Sequence, residues 1–121
     1  MSRFTKTDKL FRQLILKERP AKCEWCGKPS NPLQVAHILP KGAFPRLRYQ
    51  RANVLLLCFY CHMIRAHRNP LEFREWLVEY KGGDPLNQLR TMERILPKTD
   101  LKMINIILQK ELEQLKGANN A

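Results

Sequence analysis

The chain has 121 residues, 44% of them hydrophobic, and its 22 Lys and Arg against 11 Asp and Glu leave a formal net charge of +11. That length suits one domain with a modest core that a metal staple would help to close, and the charge selects a polyanion, nucleic acid foremost, as partner. Membrane spanning is excluded, since no apolar run nears the roughly 18 residues that a bilayer demands, and Met1-Ser2-Arg3-Phe4 begins no secretory signal. A cytoplasmic location is therefore expected.

Leu10, Phe11, Leu14 and Ile15 share one face of a helix expected to start near Thr7 or Asp8 and to end before Pro20. From Cys23 to Pro32 the composition shifts to Cys, Gly, Pro, Ser and Asn, which marks a tight knuckle. Leu33 to Ile38 reads as a short strand. Pro40, Gly42 and Pro45 then break the chain into an ordered loop that carries Lys41, Arg46, Arg48 and Arg51 beside Phe44 and Tyr49. Asn53 closes the loop, and Val54 to Leu57 resumes as a buried strand. A helix is expected from Cys61 through about Arg68, with His62 near its start and His67 near its end.

Asn69-Pro70-Leu71-Glu72 is a helix start with Asn69 as N-cap. The helix carries Phe73, Trp76, Leu77 and Tyr80 and stops at Gly82-Gly83. Asp84-Pro85 opens another helix, closed by Pro97. A last helix begins near Thr99 or Asp100, with Leu101, Ile104, Leu108, Leu112 and Leu115 at helical spacing. The expected organisation is a single α+β domain over 1–121: an N-terminal helix (1–20), a metal-stapled core (21–69), C-terminal helices (70–116) and a flexible tail (117–121). The face of the last helix can cover the core or a second copy of the chain, as a homodimer.

The cysteines form two C-x-x-C pairs, Cys23 with Cys26 and Cys58 with Cys61. Two thiolates on one turn can point at one ion, and a second pair completes a tetrahedron around zinc. In a reducing compartment such pairs are ligands, not disulfides. Four thiolates leave no position open for substrate, so this zinc is structural, tying the start of the strand–loop–strand insert to its end.

Between Glu24 and Glu72 the chain has no acidic residue but holds Lys41, Arg46, Arg48, Arg51, Arg65 and Arg68 as well as Lys28. The six named first are the expected nucleic-acid contacts, since a face without carboxylates attracts phosphates unopposed.

His37 after a strand, Asn53 before the next and His62 directly after a C-x-x-C resemble the HNH endonucleases. More narrowly, Ala36-His37-Ile38-Leu39-Pro40-Lys41-Gly42 and Asn53-Val54-Leu55-Leu56-Leu57-Cys58-Phe59-Tyr60-Cys61-His62 look like phage-type HNH proteins, and more loosely like the lambda-phage NinG recombination proteins. The resemblance covers roughly Cys23 to Trp76 and implies a ββα-metal core pinned by a four-cysteine zinc, in a bacterial or phage-infected cell. It implies hydrolysis of DNA, duplex or branched, by a metal-dependent endonuclease that leaves a 5′-phosphate. His37 would be the general base, and His62 would ligate a catalytic Mg²⁺, Mn²⁺ or other divalent ion. Asn53 would hold the loop or touch that ion.

His67 follows His62 by five residues, about 140° around an ideal helix, so sharing an ion requires the helix to end or distort. One departure from the family stands out: many members carry Asp or His directly before the catalytic His, where this chain has Ala36. An imidazole-led site favours Mn²⁺, Co²⁺ or Ni²⁺ over Mg²⁺. A degenerate site would instead leave a non-catalytic zinc-containing DNA-binding protein.

Overall fold

In the computed structural model, which describes residues 2–119, the elements are α1 (Thr5–Glu18), β1 (Gln34–His37), β2 (Val54–Leu57), a π-helical turn (Tyr60–Arg65) that runs into α2 (Ala66–Arg68), then α3 (Pro70–Lys81), α4 (Pro85–Ile95) and α5 (Leu101–Asn119). The expected mixed helix-and-sheet class is observed.

β1 and β2 form an antiparallel ribbon in which Gln34 faces Leu57 and His37 faces Val54. All of β2 is buried, which is why it reads as an unbroken apolar run instead of an alternation. β1 alternates, so Gln34 and Ala36 lie on one face while Val35 and His37 lie on the other.

Phe11, Leu14 and Ile15 of α1 join Leu108 and Leu112 of α5 in the core with β2, and α1 packs along α5. Inside that contact the Thr7 hydroxyl donates to Asn105 Oδ1 at 2.6 Å. A second, smaller cluster of Leu39, Leu47 and Leu89 seats the basic loop on α4. The loop is thereby a packed element with its own core.

Side-chain caps start the last three helices: Asn69 Oδ1 accepts from Glu72 N–H at 3.1 Å, Asp84 Oδ1 from Asn87 N–H at 3.2 Å and Asp100 Oδ1 from Met103 N–H at 3.2 Å. Each cap is worth about 1 kcal/mol. α3 ends where Gly82 and Gly83 take φ of +79° and +65°, a region that favours glycine.

Some boundaries differ from expectation. α1 begins at Thr5, ahead of Thr7, and β1 is shorter than 33–38. α5 runs to Asn119 past the expected end at 116, because no proline intervenes and one glycine costs a helix only about 1 kcal/mol. The tail expected from 117 is thus helical to Asn119, and residues 120 and 121 lie outside the described residues. Among the described residues no helix is long and apolar enough to cross a membrane.

Candidate functional site

The cysteine pairs sit on two turns, one before β1 and one after β2. All four Sγ atoms lie within 4.8 Å of one another, with Cys26 and Cys58 at 3.9 Å. Zinc–sulfur bonds of about 2.3 Å in a tetrahedron place the sulfurs about 3.8 Å apart. The donor set therefore fits an ion such as zinc.

Amide N–H groups point at the sulfurs, from Cys26 to Cys23 Sγ at 3.5 Å and from Cys61 to Cys58 Sγ at 3.4 Å. Burial pushes the Cys23 thiol up, but the surrounding N–H groups outweigh it and hold the thiol at about 7. Burial and the adjacent Cys58 and Cys23 push Cys61 up to about 12. Thiols this crowded resist ionising together unless a cation joins them.

Glu24 welds the first turn to the ribbon. Its N–H donates to the Leu56 carbonyl at 2.8 Å, and its carboxylate accepts from Leu56 N–H at 2.6 Å, Tyr80 Oη at 2.7 Å and Arg19 Nη1 at 2.9 Å. Trp25 stacks on Trp76 of α3 at 5.3 Å, with the Arg65 guanidinium 3.9 Å from the Trp25 ring centre.

His37 ends β1 with Nε2 2.9 Å from the Arg48 carbonyl. A carbonyl oxygen can only accept, so Nε2 carries the proton and Nδ1 keeps its lone pair. Burial holds the imidazole pKa below its ordinary value, with the Lys41 and Arg48 cations acting the same way against the pull of the Arg48 carbonyl and Asp8. Beside His37 lies a depression of about 400 Å³ lined also by Asp8, Lys9, Arg12 and Lys41.

The Arg48 guanidinium is clamped by Asp8, with Nε to Oδ1 at 3.1 Å and Nη2 to Oδ2 at 2.7 Å, and Tyr49 Oη donates to the same carboxylate at 2.7 Å. Asp8 thus fixes the loop residue whose carbonyl orients His37. Spacing offered no sign of this, because Asp8 belongs to a different element.

His62 lies 2.6 Å through Nδ1 from Gln34 Oε1. With the amide oxygen as acceptor, Nδ1 is the donor and Nε2 retains its lone pair. Gln34 escaped the sequence reading; its one signal was a polar residue on the Ala36 face of an otherwise apolar strand. Burial, and then the charge of nearby His67, hold the His62 pKa below the ordinary value.

The helix bearing both histidines departs from the ideal geometry that would separate them by about 140°. Its first turn is π-helical and closes with Ala66 N–H on the Cys61 carbonyl, five residues back, which draws residues five apart toward one face. The distortion that His67 needed is present. Among the described residues, however, the four cysteines are the only group of three or more Cys, His, Asp or Glu positioned to hold an ion. The imidazoles supply two ligands at most, and buried Ala36 adds none.

Asn53 is fully buried. Its Oδ1 accepts from Leu39 N–H at 2.9 Å, while Nδ2 donates to the Leu39 and Leu47 carbonyls at 3.1 and 3.4 Å. Every polar atom of the amide is committed to the loop backbone. Asn53 therefore occupies the loop-holding position, not that of an ion ligand.

The expected carboxylate-free face does not survive folding. Arg48 pairs with Asp8, Arg51 with Glu18 and Glu111, and Arg65 with Glu72. Arg46 N–H donates to Glu93 Oε2 at 3.1 Å and its guanidinium to the Glu93 carbonyl at 3.4 Å. The flanking helices bring acids that are remote in sequence to these arginines. Lys41 and Arg68 are exposed. No protein-family model matches the chain, and no curated protein or solved structure matches it either.

Proposed function

We propose that the chain is a metal-dependent HNH-type endonuclease that hydrolyses DNA phosphodiester bonds. The observation that carries this reading is that two imidazoles each have one nitrogen fixed by an acceptor oxygen and the other left with its lone pair, His37 through the Arg48 carbonyl and His62 through Gln34.

His37 Nδ1 takes the proton of the attacking water, a role that needs the neutral ring which burial and the neighbouring cations maintain. The Asp8–Arg48 pair holds the loop carbonyl that orients it, and Asn53 pins the same loop at Leu39 and Leu47. His62 Nε2, together with His67, would hold a divalent ion, with phosphate and water supplying the other ligands. When bound, that ion would supply charge neutralisation at the phosphate and the leaving oxygen.

A second reading, a non-catalytic zinc-containing DNA-binding protein, draws on one observation: Ala36 stands where many HNH proteins carry a ligand, and among the described residues no carboxylate joins the histidines in a group of three ligands. Supercoiled plasmid incubated with Mn²⁺ or Mg²⁺ separates the two. The nuclease reading expects nicking with Mn²⁺ at least as fast as with Mg²⁺, and a loss of about 10²- to 10⁴-fold in His37→Ala. Nicking that survives the substitution removes His37 from the mechanism, and salt-sensitive binding without nicking favours the second reading.

A further inference from the structure

We infer that duplex DNA is gripped in a basic groove assembled from the start of α1, the loop around Lys41 and the connection between α4 and α5. The inference rests on the DNA reading above and extends it to surface outside the β ribbon. A depression of about 990 Å³ is lined by Arg3, Lys41, Arg46, Lys98 and Lys102. Lys41 also lines the smaller depression at His37, where Lys9 and Arg12 continue the positive charge. The two join at Lys41 and lead to the His37 imidazole.

Only part of the charge expected from sequence order serves this groove. Arg48, Arg51 and Arg65, three of the five arginines in the acid-free stretch, are held in ion pairs, whereas among the described residues Arg3, Lys9, Arg12, Lys41, Lys98 and Lys102 have no carboxylate partner. The acids that do line the groove are already engaged. Glu93 accepts from Arg46 N–H, Asp100 caps α5, and Asp8 is held by Arg48 and Tyr49. Cations free to meet phosphates therefore dominate.

The groove also lacks a platform for unstacked bases, which sequence-tolerant single-strand binders use. Phe4 and the buried Phe11 are its aromatic lining residues, and the guanidinium carbons of Arg3 and Arg48 lie 4.9 and 4.0 Å from the Phe4 ring centre. A surface of cations without a free aromatic face suits the backbone of a duplex.

The test is fluorescence anisotropy of a labelled mixed-sequence duplex against full-length His37→Ala protein, without added divalent ion, over about 50 to 200 mM salt. In the Lys98→Gln/Lys102→Gln background the slope of log K against log salt is expected to shrink by about 2, and affinity to fall about tenfold or more. Lys9→Gln/Arg12→Gln should do the same from the other end of the groove, and Lys110→Gln/Lys116→Gln on α5 should change neither quantity.

Equal slopes for the groove and α5 pairs, or tighter binding of a single strand than of the duplex, would overturn the groove. If the unsubstituted chain nicks plasmid while the slopes stay equal, the groove alone fails. If it neither binds nor nicks, the DNA reading fails with it.

Discussion

The cysteine cluster and the two histidines are built on opposite principles. In the cluster the ligands are four side chains of one kind with their sulfurs within 4.8 Å of one another, and each reports its neighbour by spacing. The two imidazoles, one at each end of the β ribbon, are instead oriented by groups remote from them in sequence: a loop carbonyl, a glutamine and, behind the carbonyl, an aspartate from α1. A metal staple is a local pattern doubled, whereas an oriented histidine is a product of the whole fold.

The sharpest way to break this contrast is at the cysteines. Structural zinc contributes an apparent binding free energy of about 10–16 kcal/mol in zinc-finger peptides, which matches or exceeds the roughly 5–15 kcal/mol of net stability typical of a domain. Cys61→Ala is therefore expected to abolish the cooperative thermal transition followed by circular dichroism. Chelation of the unsubstituted chain should do the same, and an unchanged melt would show that the cluster is no staple.

Asn53→Ala comes next. It strands the Leu39 N–H and two loop carbonyls in a buried setting, at about 1–3 kcal/mol for each group left without a partner. A shift of the urea midpoint equivalent to about 3 kcal/mol is expected, and a shift below about 1 kcal/mol would mean that water replaces the amide.

Gln34→Leu probes His62 alone. Loss of the acceptor that orients His62 should weaken Mn²⁺ binding about 10- to 100-fold by calorimetry while leaving the melt nearly unchanged. An unaltered affinity would separate Gln34 from the ion.

The smallest effects are in pH. With the pKa of His37 held below its ordinary value, the nicking rate should rise with pH only below about 6.5 and stay flat above it. His62 is lowered as well, so the unfolded chain binds protons more readily than the folded one. Stability should be fully present above about 6.5 and decline as pH falls through the folded values. A denaturation midpoint that rises on acidification would reverse the sign.

What the sequence made legible divides along the same line. The cysteine pairs, the apolar run of β2, the caps Asn69, Asp84 and Asp100 and the glycine stop of α3 act within a few residues of themselves, and each lies where local chemistry puts it. Asp8, Gln34 and the fate of the arginines depend on contacts between distant elements. Arg51 meets Glu111 only because α5 lies along α1. The π-helical turn was hidden for a related reason: the second knuckle diverts the Cys61 N–H to sulfur at the start of the helix, and no apolar period records that.

The central claim, that two histidines are fixed in opposite tautomers with one free nitrogen each, is tested most directly by a two-bond ¹⁵N–¹H correlation spectrum at neutral pH. His37 is expected protonated on Nε2 and His62 on Nδ1, with Mn²⁺ broadening the His62 Nε2 signal. A His37 ring protonated on Nδ1, or a His62 ring protonated on Nε2, would contradict it.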